Sequence, residues 1–270
     1  MKIDAHQHFW EIARGDYGWL TPDLPLLYRD FRPGDLEPHL DTCQIDGTIL
    51  VQAAPTVAET RYMLGLADKH AFILGVVGWV DFDAADAADQ IAQLAQNRKL
   101  VGLRPMIQDI ADDRWMLSPH LEPAFNAMIA HDLTFDALVK PQHLPSLYRL
   151  IARYPDLRVV IDHGAKPDIA NDNFDAWAFQ MTQIATNTKA FCKLSGLVTE
   201  AKINWAPCQI APYIGHLLNI FGPNRLIWGS DWPVVTAACD YPRWHDTAQN
   251  LAGADAAIFG GTAQKAYRLG

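Results

Sequence analysis

The chain has no CxxC pair, no cluster of basic residues and no apolar run near the length of a bilayer span. Its four cysteines, Cys43, Cys192, Cys208 and Cys239, are scattered, which suits apolar filler in a reducing compartment better than a disulfide framework. A formal net charge of −9 leaves little with which to neutralise phosphates, so nucleic acid is not expected as a partner. The N-terminus, MKIDAHQHFW, lacks the basic start and apolar core of a secretory signal. A cytoplasmic protein with no membrane association is therefore expected. A serine-hydrolase elbow is missing too, because GSD at 229–231 lacks the second glycine of GxSxG.

What is present suits a sizeable core: 50 % of the 270 residues are hydrophobic and 20 % are charged. Short apolar runs recur at 2–8, 47–52, 73–80, 100–105, 133–138, 158–163, 190–195 and 225–230. Most are nearly continuous, as in TILV and RVVI, the pattern of parallel strands buried on both faces. Helical spacing follows each, at 33–44, 57–69, 84–96, 121–131, 144–154, 174–186, 207–221 and 241–251. Pro33 marks one helix start and Asp83 precedes an Ala-rich one. Eight strands alternating with eight helices, and no linker between them, predict one α/β domain over 1–270, a (β/α)8 barrel. Segments 10–32 and 106–120 are too long for turns and follow strand carboxyl ends, so they are expected to cover the barrel mouth.

Buried strands should not end in charged or polar residues without a reason. Here His6 and His8 end the first, Arg104 the fourth, Asp162 and His163 the sixth, Lys193 and Ser195 the seventh, and Asp231 follows the eighth. A closed barrel brings these ends to one mouth. Two histidines two apart on a strand point the same way, and with His163 and Asp231 they form a set suited to zinc or a similar ion. Asp231, in WGSDWP, has the environment of a general base.

At these residues the chain resembles the amidohydrolase superfamily, in its amidohydrolase-2 branch. That branch includes sugar-acid lactonases of the L-fuconolactonase and L-rhamnono-lactonase type and 2-pyrone-4,6-dicarboxylate lactonase. The resemblance rests on IDAHQHFW, WLTPDLPLLYRDFRPGDL, VGLRP, VVIDHGAKP, FCKLSGL and RLIWGSDWPV, in that order along almost the whole chain. It implies a distorted (β/α)8 barrel in which Asp231 handles the proton of the attacking water and His163 stands beside the reacting carbonyl. The segment LTFDALVK offers no clear counterpart of the carboxylated lysine that bridges two metals. The resemblance therefore implies one divalent ion, zinc first, bound by His6, His8, His163 and Asp231, or none; no organic cofactor is expected.

The expected function is hydrolysis of a small lactone, a sugar-acid lactone in preference to a dicarboxylate, since Arg104 is the one arginine placed at a strand's carboxyl end. Arg104 and Lys193 are expected to orient substrate, with Asp136 and Asp162 as their partners if they do not. Ser195, Trp19, Tyr28 and Trp115 are expected to bind hydroxyls or stack on the ring. A metal-dependent decarboxylase and a sugar-acid lactone isomerase are the alternatives on the same barrel.

Overall fold

Strands buried on both faces need helices outside and side chains filling the inside, and the chain supplies both. The structure is a computed structural model that describes residues 1–269. Its strands are β1 (Ile3–Gln7), β2 (Gly47–Val51), β3 (Ile73–Gly78), β4 (Leu100–Leu103), β5 (Thr134–Ala137), β6 (Val159–Ile161), β7 (Phe191–Leu194) and β8 (Leu226–Trp228). They form one parallel sheet in sequence order. Around it lie α1 (Pro33–Cys43), α2 (Val57–Ala67), α3 (Ala87–Leu94), α4 (Glu122–Ala130), α5 (Leu144–Arg153), α6 (Asp175–Asn187), α7 (Pro207–Phe221) and α8 (Tyr241–Ala252). All eight expected runs and all eight expected helices form: the fold is a (β/α)8 barrel. Among the described residues no helix is long and apolar enough to cross a membrane.

Local chemistry sets the boundaries. Pro33 opens α1, Thr56 caps α2 by accepting from Glu59 N at 3.0 Å, and Asp240 caps α8 by accepting from Arg243 N at 2.8 Å. Asp83 caps nothing; α3 starts later, at Ala87, because Asp83 binds side chains of the 106–120 segment instead. The sixth strand stops before Asp162, short of the expected end at His163, because His163 and Gly164 turn the chain with φ of 54° and 57°.

Among the described residues one α-helix lies beyond the expected set. A short helix, α9 (Thr262–Tyr267), closes the amino end of the barrel. Ala263, Ala266 and Tyr267 pack against Ile3, Ile49, Val101, Val160 and Ile227 in the lumen, and Thr134 Oγ1 donates to Ala266 O at 2.8 Å. The barrel is sealed between β1 and β8 just past the end of β8. Asp231 N donates to His6 O at 2.7 Å, His8 N to Trp232 O at 2.7 Å, and Ser230 N to Asp4 Oδ1 at 2.8 Å.

Candidate active site

Asp231 owes its position to that seam. Its backbone, at φ 60°, is in the left-handed region, where a residue with a side chain is strained, and the His6 carbonyl and Ser230 hold it there. Asp4 ties both strands from behind, accepting from His6 N at 3.2 Å, Ser230 N at 2.8 Å and Tyr241 OH at 3.0 Å. A register shift between Asp4 and Gln7 re-aims β1, a usual effect of a bulge. Gly229 is required here, since a Cβ on it would come within 2.6 Å of His6 Cβ.

Three imidazoles face the Asp231 carboxylate. His8 Nδ1 donates to Val51 O at 2.8 Å, and its Nε2 lies 3.2 Å from Asp231 Oδ1. His6 Nε2 is 3.7 Å from the same oxygen. His163 Nδ1 pairs with Ser195 Oγ at 2.9 Å, and Gly196 lacks the Cβ that would collide with that ring. Burial pushes the His163 ring down to about 4 and the His6 ring well below its ordinary value, the latter reinforced by Lys193. Burial opposes the charge of Asp231, yet the facing imidazoles outweigh it and hold the carboxyl well below the usual carboxylate range.

Below these lies a layer of fixed charge. Lys193 Nζ contacts Asp136 Oδ2 at 2.5 Å, Asp162 Oδ1 at 3.0 Å and His6 Nδ1 at 3.2 Å, with all four side chains fully buried. Tyr267 OH donates to Asp136 at 2.8 Å, joining α9 to this layer. Burial raises Asp136 to about 6 despite Lys193, whereas Lys193, His6 and Arg104 together overcome burial to hold Asp162 low. Arg104 Nη1 reaches Asp162 Oδ2 at 3.3 Å and His6 Nε2 at 3.2 Å, its Nη2 donates to Gln52 O, and its Nε has no partner among the described residues.

A cavity of about 260 Å³ opens over this assembly, lined by His8, Trp19, Ala53, Arg104, Met106, Gln108, Asp109, Leu138, His163, Lys166, Asp231 and Val234. A larger one, about 790 Å³, lies against α5, α6 and the starts of β6 and β7. It is remote from the His/Asp cluster, and two of its arginines are already engaged: Arg225 by carbonyls and Arg158 by Asp132. The smaller cavity is the one with chemistry around it.

The expected residues thus divide. Asp231, His163, His8, Arg104 and Trp19 line the cavity, with Trp19 pinned by its Nε1 donating to Ala53 O at 2.7 Å. Lys193 does not line it: it sits a layer below, its ammonium consumed by Asp136 and Asp162. Ser195 lies behind His163. Trp115 is buried against Phe82 with its Nε1 on Asp83 at 3.0 Å, a strut within the 106–120 segment, and Tyr28 lies outside the cavity lining. Gln52, Gln108, Asp109 and Lys166 were not singled out. Gln52 obeys the same rule of a polar residue at a strand end; Gln108 and Asp109 lie in a short 3-10 helix and Lys166 in a left-handed turn, with no spacing signal.

His6, His163 and Asp231 offer three atoms within 4.8 Å of one another, a group able in principle to hold a divalent ion; His8 is outside that group. In this arrangement His6 Nε2 also lies 3.2 Å from Arg104 Nη1.

Comparison with known proteins adds the family context. The sequence model of the amidohydrolase family matches residues 3–269. An L-fucono-1,5-lactonase of Burkholderia ambifaria is 47 % identical over 277 residues, covering 99 % of this chain and 96 % of that one. An L-fucono-1,5-lactonase of Burkholderia multivorans is 34 % identical, covering 100 % and 96 %. A crystal structure of an amidohydrolase from Burkholderia multivorans with bound zinc is 33 % identical over the whole of both chains, with a TM-score of 0.94.

Proposed function

The chain belongs to the amidohydrolase family, and on that premise we propose that it is a carboxylic ester hydrolase that opens a sugar-acid lactone, L-fucono-1,5-lactone first among them. The observation that carries the reading is Asp231: an ionised, buried carboxylate at the floor of a small cavity, beside the neutral His163 ring and the Arg104 cation. The two lactonase relatives supply the substrate class. A cavity of about 260 Å³ is near the lower end of ligand sites, roughly 300–1,000 Å³, and suits one monosaccharide ring. Met106, Leu138 and Val234 in its lining suit a deoxy-sugar methyl group, and Trp19, Gln108, Asp109 and Lys166 suit ring stacking and hydroxyls.

In this mechanism Asp231 takes a proton from a water whose oxygen bonds to the lactone carbonyl carbon. Negative charge gathers on the carbonyl oxygen, where His163 Nε2–H and Arg104 stabilise it. Ser195 makes His163 a donor by giving its hydroxyl hydrogen to Nδ1. The carbon–oxygen bond of the ring then breaks, and protonated Asp231 returns its proton to the departing ring oxygen. The product acid ionises and releases one proton to solvent. Lys193 is a positioning residue, holding His6 and Asp162 in place beneath.

The test is acid release by the purified protein against a panel of aldono-1,4- and 1,5-lactones with pyrone dicarboxylate included. Turnover of L-fucono-1,5-lactone or a stereochemical relative is expected. Silence across the panel from folded protein would overturn the reading.

A further inference from the structure

Two cations meet His6 from opposite sides: Lys193 Nζ is 3.2 Å from Nδ1 and Arg104 Nη1 is 3.2 Å from Nε2. An ammonium and a guanidinium only donate, and a neutral imidazole has one bare nitrogen. If Nε2 carries the hydrogen, it has no lone pair to give. If Nδ1 carries it, donating toward Asp162 Oδ1 at 3.5 Å, the Nε2 lone pair is taken by Arg104. If both carry hydrogen, neither is open. In every protonation state, His6 Nε2 is closed to a metal while Arg104 is in place.

Arg104 is built into that position. It is 4 % exposed, with Asp162 Oδ2 on Nη1 and the Gln52 carbonyl on Nη2, and it lines the cavity beside Asp231 and His163. We propose that Arg104 is the resident cation of this site: its guanidinium and a divalent ion at His6 exclude each other, and the charge a metal would supply at the carbonyl oxygen comes from the side chain. Its role in turnover rests on the lactonase reading; the exclusion does not.

The test uses zinc chloride alone. Chelator-treated wild-type protein and Arg104→Met are dialysed against graded free zinc, and bound zinc is measured by elemental analysis. Arg104→Met is expected to bind at least about tenfold more tightly, the scale on which neighbours of a metal ligand act. The gain should vanish when His6→Gln is added. Equal or weaker binding by Arg104→Met, or a gain that survives the loss of His6, overturns the proposal. If Arg104→Met does not fold, histidine-labelled wild-type protein decides by ¹⁵N spectra. The His6 signals should stay unmoved at equimolar zinc, and a ligation shift at His6 Nε2 would overturn the proposal. Neither readout involves turnover, so a failed lactonase assay and a failed exclusion are separate results.

Discussion

On three neighbouring strands, a step of two residues toward the mouth, about 6.6 Å, changes the lumen from one kind of matter to another. Thr134 gives way to Asp136, Val160 to Asp162, and Phe191 to Lys193. The lower layer is an ordinary core, packed by Ile3, Ile49, Val101 and Ile227 and stoppered by α9. The layer above holds an ammonium, a guanidinium and two carboxylates almost without solvent. Burying charges costs free energy that pairing often only repays, so such a layer is weak evidence of a stability device. It is better understood as scaffolding for His6, His163 and Asp231, whose useful states require a dry, preorganised surround. The floor stabilises the barrel; the layer above it serves the site.

That contrast can be broken by mutation. His163→Ala should lower kcat by about 10²–10³ while leaving the melting temperature near wild type, and steady-state kinetics with a thermal melt would show whether it does. Lys193→Met strips the neutralising charge from Asp136 and Asp162 and should destabilise the fold by about 3–5 kcal/mol, measured by denaturant unfolding; an unchanged midpoint would mean the charged layer is not a coupled unit. On the floor, Ile227→Ala should cost about 2–5 kcal/mol of stability with kcat/KM retained, and a parallel loss of activity would erase the distinction. Ser195→Ala should lower kcat about tenfold with KM unchanged, partly restored by Ser195→Thr.

The smallest effect is in pH. His163 is held near 4 and Asp231 lower still. kcat/KM should therefore be flat from pH 7 to 5 with respect to both groups and fall toward pH 4 as the His163 ring gains a proton and its charge weakens the facing Asp231 carboxylate as a base. Stability moves in the same direction. Below pH 6.5 the unfolded chain's His163 binds a proton that the folded site refuses until about 4, so this residue costs stability as pH falls through that window. His163→Asn should flatten that part of the stability profile.

Much of this was legible in the residues. Strands buried on both faces read as unbroken apolar runs, so all eight could be placed, and polar residues at their ends pointed to the mouth. The helix α9 was not legible, being six residues long and lacking a helical period of its own. Whether a strand-end cation meets a ligand or a carboxylate was not legible either. Arg104 and Lys193 look alike in sequence, but Lys193 projects between Asp136 and Asp162 from strands whose register only the closed sheet fixes. Trp115 was expected over the mouth and is instead tied to Asp83, a contact 32 residues distant that no local pattern announces. Lys166 reaches the cavity through a left-handed turn, at φ 49°, that residue type does not predict.

The most direct test is hydrolysis of L-fucono-1,5-lactone by wild-type protein and by Asp231→Asn, side by side, with folding checked by circular dichroism. Removing the base and proton carrier should lower kcat/KM by about 10³ or more in a protein that still folds. A folded Asp231→Asn enzyme within about tenfold of wild type would contradict the assignment of the chemistry to the mouth carboxylate.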